Sequence, residues 1–366
     1  MRKPVRVLVV DDSALMRKLI PQILEQDDSI HVVGTAIDGN FALKKIEELS
    51  PDVVTLDLEM PGLNGIDTLK EVMRHRHRLP VIVVSSHSTA GASITLKALA
   101  LGAFDFVAKP HDVFAHMPEV ADELIGKIHA AAQSAGVQSQ FLPRDTHGNL
   151  PGKLPPLAPT HIVAIGVSTG GPNALQYLFS HLPVEFSGSI LVVQHMPDGF
   201  TELFAKRLDE SCPIRVKEAQ SGDLLVAGRA LIAPGNRHMK VKKLPLGNVA
   251  LLGEDGPVNG HRPSVDVLFH SIAQEFGPQA MAVLMTGMGE DGASGLGEIR
   301  AAGGFTVAQS EQTCVVYGMP KAAIERGYAM RIADLQDLPS ILQAQCSPDR
   351  SRGDMGVKRA SGAGSN

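Results

Sequence analysis

Short, continuous apolar runs rich in Val and Ile recur along the chain, each followed by a segment long enough for a helix. In the first third they are VRVLVV, HVVGTA, VVTLD, VIVVSS and DFVAKP. Hydrophobicity that is continuous rather than alternating marks strands buried on both faces, hence a parallel sheet covered by helices. After residue 160 the alternation resumes with HIVAIG, SILVVQH, LIAPG, MAVLMTG and FTVAQ, interrupted by a hairpin pattern at KVKKLPLGNVALL. The prediction is α/β throughout: a five-stranded parallel domain over 1–130, then a doubly wound, mostly parallel domain with one antiparallel excursion over 161–345. Pro, Gly, Ser and polar residues dominate 131–160 and 346–366, which read as a linker and a disordered tail.

Local signals refine this. Ser13 is placed to cap a first helix carrying Leu15, Leu19 and Ile23, with Met16, Ile20 and Leu24 alongside, and Pro21 is expected to kink or end it. A net charge of −5 gives no basic footprint, and with no Trp and three Tyr there is little for bases to stack on, so no nucleic-acid partner is expected. Cys212, Cys314 and Cys346 lie too far apart for a metal-ligand spacing and suit a reducing compartment. The N-terminal apolar run is strand-length, and no stretch is long enough to cross a bilayer. A cytoplasmic protein without membrane insertion is expected.

In a parallel sheet, chemistry gathers at the carboxyl ends of the strands. In the first domain these ends carry Asp11 and Asp12, Asp57, Ser85, and Lys109. Three carboxylates on one edge repel one another unless a hard cation sits among them, and an all-oxygen donor set favours Mg²⁺. The lysine can neutralise further charge, and the serine hydroxyl can bond a phosphoryl oxygen.

In the second domain, HIVAIGVSTGGP places Ser168 at a strand-to-helix corner. The apolar run Ile162–Ile165 breaks at Gly166, and Pro172 suits the first turn of a helix. Gly166-Val167-Ser168-Thr169-Gly170 fits G-x-S-x-G, a nucleophile-elbow pattern, but a glycine-rich phosphate cradle fits as well. A nucleophilic serine needs a base, and the base an orienting carboxylate. His195 closes a predicted strand, with His238 and His261 in loops as rivals. Asp291 follows another strand in a glycine-rich loop, with Asp198 and Asp266 as rivals that also suit helix starts.

The strand-end set Asp11, Asp12, Asp57 within TLDLEMPGLNG, Ser85, and Lys109 within FVAKP resembles a response-regulator receiver domain. GVSTGGP, VVQHMP, HRPSVDVLF and MTGMGEDGASG resemble the catalytic domain of the CheB family of chemotaxis protein-glutamate methylesterases, which also carry a receiver ahead of that domain. The resemblance implies a flavodoxin-like receiver followed by a hydrolytic domain. It implies Asp57 as phospho-acceptor, Mg²⁺ at Asp11, Asp12 and Asp57, and Ser85 and Lys109 as sensors of the phosphoryl group. It also implies Ser168 as nucleophile, His195 as base and acid, Asp291 as orienting carboxylate, and no cofactor in the esterase site. Met288, in the loop Thr286–Gly289, is nominated for the oxyanion hole. The implied substrates are methyl-accepting chemotaxis receptors, demethylated at γ-glutamyl esters and deamidated at glutamines, and the implied phosphodonor is the chemotaxis histidine kinase. Rival readings are a response regulator whose second domain is a non-catalytic partner-binding module, and a nucleotide-binding domain built on the glycine-rich turn.

Overall fold

Val7 and Val9 face one side of the first sheet and Leu8 and Val10 the other, all buried, which is the two-residue period of a strand covered on both faces. The computed structural model describes residues 3–76, 78–86, 88–109, 113–134 and 158–347. Strands β1 (Val5–Val10), β2 (Ile30–Ala36), β3 (Val53–Asp57), β4 (Val81–Ser85) and β5 (Asp105–Ala108) form a wholly parallel sheet in the order β2-β1-β3-β4-β5. Helices α1 (Met16–Leu24), α2 (Gly39–Leu49), α3 (Gly65–His75), α4 (Thr89–Ala100) and α5 (Val113–Gln133) surround it. Side chains of α1 and α5 cover the Val7 face, and those of α2, α3 and α4 cover the Leu8 face.

α1 departs from expectation at its start. It begins at Met16 rather than at a Ser13 cap, and Ser13 Oγ reaches only the Met16 N–H, at 3.4 Å. The Ser13 N–H turns back onto Asp11 Oδ1 at 2.8 Å, a local turn that delays the helix by two residues. The buried stripe is Met16, Ile20 and Leu24, while Leu15 is left 44% exposed. Pro21 lies inside the helix, which ends three residues later.

The second sheet has seven parallel strands: β6 (Ile162–Val167), β7 (Ser189–Gln194), β8 (Arg215–Glu218), β9 (Arg229–Ile232), β12 (Ala280–Leu284), β13 (Phe305–Gln309) and β14 (Arg331–Ala333). Their order is β14-β13-β12-β6-β7-β9-β8. The antiparallel excursion, β10 (His238–Leu244) and β11 (Gly247–Gly253), forms a separate two-stranded sheet. α6 (Gly171–Ser180), α7 (Phe200–Ser211) and α11 (Leu338–Cys346) pack on the face of Val163 and Ile165. α8 (Val265–Phe276), α9 (Ala293–Ala301) and α10 (Met319–Glu325) pack on the face of Ile162 and Ala164. Helices on both faces make the sheet doubly wound. Connections diverge between β6 and β12, so a crevice opens at their carboxyl ends.

The two sheets share a continuous core. Leu96, Leu99 and Phe106 belong to the same buried cluster as Leu175, Phe200 and Phe204. At its rim Asn173 Nδ2 donates to Leu99 O (3.1 Å) and Arg207 Nη1 to Leu96 O (2.9 Å). α5 runs to Gln133 and α11 to Cys346, so helix extends into the first residues of the predicted linker, 131–160, and tail, 346–366; residues 135–157 and those from 348 on lie outside the described residues.

Candidate functional site

β6 runs through Gly166 to Val167, beyond the break expected at the glycine. The glycine serves packing rather than bending: a Cβ there would fall 2.2 Å from Val265 Cγ1 of α8. The bend comes at Gly170, whose φ of 76° opens α6 with Pro172 in its first turn. Ser168 sits in the corner between them. Its N–H donates to Thr286 O (3.0 Å), and its carbonyl accepts from Gln194 Nε2 (3.1 Å) and the Gly171 N–H (2.8 Å). Thr286 Oγ1 donates to Thr169 O (3.0 Å) and accepts from the Val316 N–H (2.9 Å). The backbone of the corner is therefore clamped while the Ser168 hydroxyl takes part in none of these bonds.

His195 follows β7, the parallel neighbour of β6, and its N–H donates to Val167 O at 3.2 Å. Ser168 and His195 thus leave adjacent strand ends. The ring Nε2–H donates to Asp291 Oδ2 at 2.9 Å, and Nδ1 is buried without a hydrogen-bond partner. Asp291, 2% exposed, also accepts from the Val265 N–H (2.7 Å), Ser264 Oγ (2.8 Å) and Asn259 Nδ2 (2.9 Å). Two of these donors belong to the start of α8, where the helix dipole favours an anion. Burial alone raises the carboxyl pKa, but the bonds from His195, Asn259 and Val265 overcome it and hold the group well below the usual carboxylate range. Asp291 is therefore a carboxylate.

All the rival residues but His261 are committed elsewhere. His238 is not in a loop but opens β10, because both ring nitrogens are tied: Nε2–H donates to Gly256 O (3.0 Å), and Nδ1 accepts from the Ser264 N–H (3.2 Å). Asp266 accepts from the Gly295 N–H (2.6 Å) and Asn259 Nδ2 (2.8 Å), linking α8 to the start of α9. Asp198 accepts from the Gly199 N–H at 3.0 Å, just ahead of α7, which begins at Phe200 rather than at Asp198. His261 lies in the site itself, its ring stacked on that of His195 with centroids 3.8 Å apart.

The loop Thr286–Gly289 backs directly onto the corner, since a Cβ on Gly287 would lie 2.8 Å from Ser168 Cβ. The Gly287 N–H is spent on Val316 O (3.0 Å), whereas the Met288 N–H makes no backbone hydrogen bond among the described residues. The Met288 side chain reaches across to α5, where Gly126 gives it room: a Cβ there would fall 2.8 Å from Met288 Cε.

At the carboxyl end of the first sheet, oxygens of Asp11, Asp12 and Asp57 lie within 4.8 Å of one another, a grouping able to hold a metal ion. Lys109 Nζ donates to Asp57 Oδ2 at 2.7 Å. It also lies 3.0 Å from Asp11 Oδ2, but off the hydrogen-bonding direction, so that buried oxygen accepts no hydrogen bond. Burial raises the Asp11 pKa more than Lys109 lowers it. For Lys109, burial disfavours the ammonium, yet the carboxylates of Asp57 and Asp11 more than compensate and raise its pKa. An orphaned, reluctantly ionised carboxylate oxygen beside two others fits a hard divalent cation. Ser85 is buried at the end of β4, its hydroxyl donating to Gly91 O at 3.3 Å.

Sequence reasoning passed over Asn259, Ser264 and Gln194, which orient the site without being reactive. Two left a trace: Asn259-Gly260 is a turn dipeptide, and Ser264 precedes an apolar helical pattern as an N-cap does.

A family model described as CheB methylesterase matches residues 163–342, and one described as response regulator receiver domain matches residues 7–117. The protein-glutamate methylesterase/protein-glutamine glutaminase 2 of Koribacter versatilis is 57% identical over 356 residues, covering 95% of this chain and 98% of that one. A protein-glutamate methylesterase/protein-glutamine glutaminase of Symbiobacterium thermophilum is 46% identical over 350 residues, covering 92% and 96%. The crystal structure of the Thermotoga maritima CheB methylesterase catalytic domain is 39% identical, covers 51% of this chain and 99% of that one, and superposes with a TM-score of 0.50. With a receiver domain ahead of an esterase domain and relatives that match it nearly end to end, the chain belongs to the CheB methylesterase family.

Proposed function

We propose that the protein hydrolyses γ-glutamyl methyl esters of chemoreceptors, and deamidates receptor glutamines, through Ser168, His195 and Asp291. The observation that carries this reading is the state of His195. Its Nε2 is held by the Asp291 carboxylate, which leaves Nδ1 buried, without a hydrogen-bond partner and available as an acceptor beside the Ser168 corner. Ser168 Oγ attacks the side-chain carbonyl as Nδ1 takes its proton. Asp291 stabilises the resulting imidazolium. The oxyanion is met by N–H groups of the clamped backbone, among them that of Met288. The tetrahedral intermediate collapses as His195 protonates the leaving group, releasing methanol from an ester or ammonia from an amide. Water, deprotonated by His195, then cleaves the acyl-serine to leave glutamate and free Ser168.

The first domain acts as a phosphorylation switch on this site. Asp57 takes a phosphoryl group from the chemotaxis histidine kinase, and Mg²⁺ held by Asp11, Asp12 and Asp57 would screen the charge of that transfer. Ser85 and Lys109 are placed at neighbouring strand ends to engage the phosphoryl oxygens, as a two-state element requires. Restraint in the unphosphorylated protein is supported by the shared core around Phe106 and by the Met288 contact with α5.

Methanol release from methylated receptor membranes, with and without a phosphodonor, tests the reading. Ser168→Ala should abolish release while leaving Asp57 phosphorylation intact; unchanged release would overturn the serine mechanism.

A further inference from the structure

We infer that His261 is a positioning residue for His195, a flat wall that fixes the plane of the imidazole so that Nδ1 meets the Ser168 hydroxyl. The inference rests on the reading of His195 as proton carrier. The bond from Nε2 to Asp291 fixes one atom of the His195 ring but leaves rotation about that bond open. His261 closes this freedom from one side: ring centroids are 3.8 Å apart and the planes differ by 13°. The His261 ring makes no hydrogen bond among the described residues, so its face is what it contributes. Its backbone is anchored by two reciprocal bonds with Val258, each 3.0 Å, which close the loop between them. Within that loop Asn259, at a φ of 53°, aims Nδ2 at Asp291. One short loop therefore holds both the base and its carboxylate.

Three charged or titratable groups face His261: His195 beside it, the Asp291 carboxylate, and Glu123 of α5. Burial, reinforced by His195, lowers the His261 pKa to about 4. A neutral ring at neutral pH can stack on the His195 imidazolium without like-charge repulsion and present a π face to it.

The experiment compares His195→Ala, His261→Leu and His261→Phe in the full chain with a small-molecule phosphodonor, reading methanol release from methylated receptor membranes. Leu keeps the bulk and loses the flat face; Phe keeps both. Expected are a fall in kcat of about 10- to 100-fold for His261→Leu with KM within about twofold, and recovery to within about threefold in His261→Phe. Phosphorylation of Asp57 and the melting temperature serve as folding controls. Wild-type kcat in His261→Leu, a loss carried by KM, or a His261→Phe protein that is folded yet as impaired as His261→Leu would each overturn the inference. Wild-type activity in His195→Ala would instead overturn the proposed function, and this inference with it.

Discussion

Phe106, on the strand that ends the receiver sheet, stacks on Phe200, at the start of α7, with ring centroids 4.9 Å apart and planes 14° apart. The stack joins the two sheets within their shared core, and α7 and α4 are also tied by the bond from Arg207 to Leu96 O. A change at Asp57 that moves β5 or α4 must therefore move this contact.

Loosening the contact should release the esterase. A hydrogen bond from a charged group contributes about 1.5–3 kcal/mol, so Arg207→Ala should raise methanol release without phosphodonor by about tenfold or more. A fragment beginning near residue 150 should be more active than the unphosphorylated full chain. Equal or lower activity in the fragment would remove the case for restraint.

Asp291→Asn keeps the shape of the carboxylate but reverses what His195 must offer it. The neutral amide no longer selects the tautomer with its proton on Nε2. A loss in kcat of about 10⁴ is expected, with KM little changed, read by steady-state methanol release.

The same carboxylate makes stability depend on pH. Its pKa is lowered on folding, so its contribution is complete above the unfolded value of about 3.9 and is lost as pH falls through the depressed folded value. Denaturant melts of the wild type and Asp291→Asn should therefore differ most near neutral pH and converge below about pH 4. A difference that stays constant from pH 7 to pH 3 would contradict this.

Chelation should separate the two halves of the chemistry. Removing divalent cations should stop phosphorylation of Asp57 by a small-molecule donor. The fragment beginning near residue 150 should keep its full rate in the same buffer, as scored by methanol release.

Gly166→Ala places a methyl group 2.2 Å from Val265 Cγ1 of the packed helix α8 and 3.0 Å from Leu284 Cδ1 of β12. Overpacking of this kind costs about 1–3 kcal/mol, a fall in Tm of about 2–10 °C for a domain of this size. Because Val265 also donates its N–H to Asp291, activity should fall further than stability alone explains.

The sheets were legible because their central strands are continuous β-branched runs, as in VRVLVV and SILVVQ. The two edge strands of the second sheet were not. Arg215–Glu218 and Arg331–Ala333 carry exposed charged or polar positions and pair on one side only, so neither run stands out from a loop. Ser168, His195 and Asp291 stood out as candidates because each directly follows a strand or the loop after one, and it was the resemblance of the surrounding motifs that set them above their rivals. His261 and Asn259 could not be ranked: their roles arise from a loop folding back across about 60 residues onto His195, and no local period records that.

The order of the strands in the sheet also sets an order in time. β6 pairs with β12, so the Ser168 corner is incomplete until the chain has been made past residue 284, and the carboxylate arrives seven residues later. The first domain ends its last helix at Gln133, more than 150 residues earlier. At about 5–20 residues per second, with domains folding as units from the N-terminus, that sheet has on the order of ten seconds to form first. A newly synthesised molecule therefore builds its Ser168 corner against a surface that is already in place, and under the restraint proposed above it would be silent from birth rather than silenced afterwards.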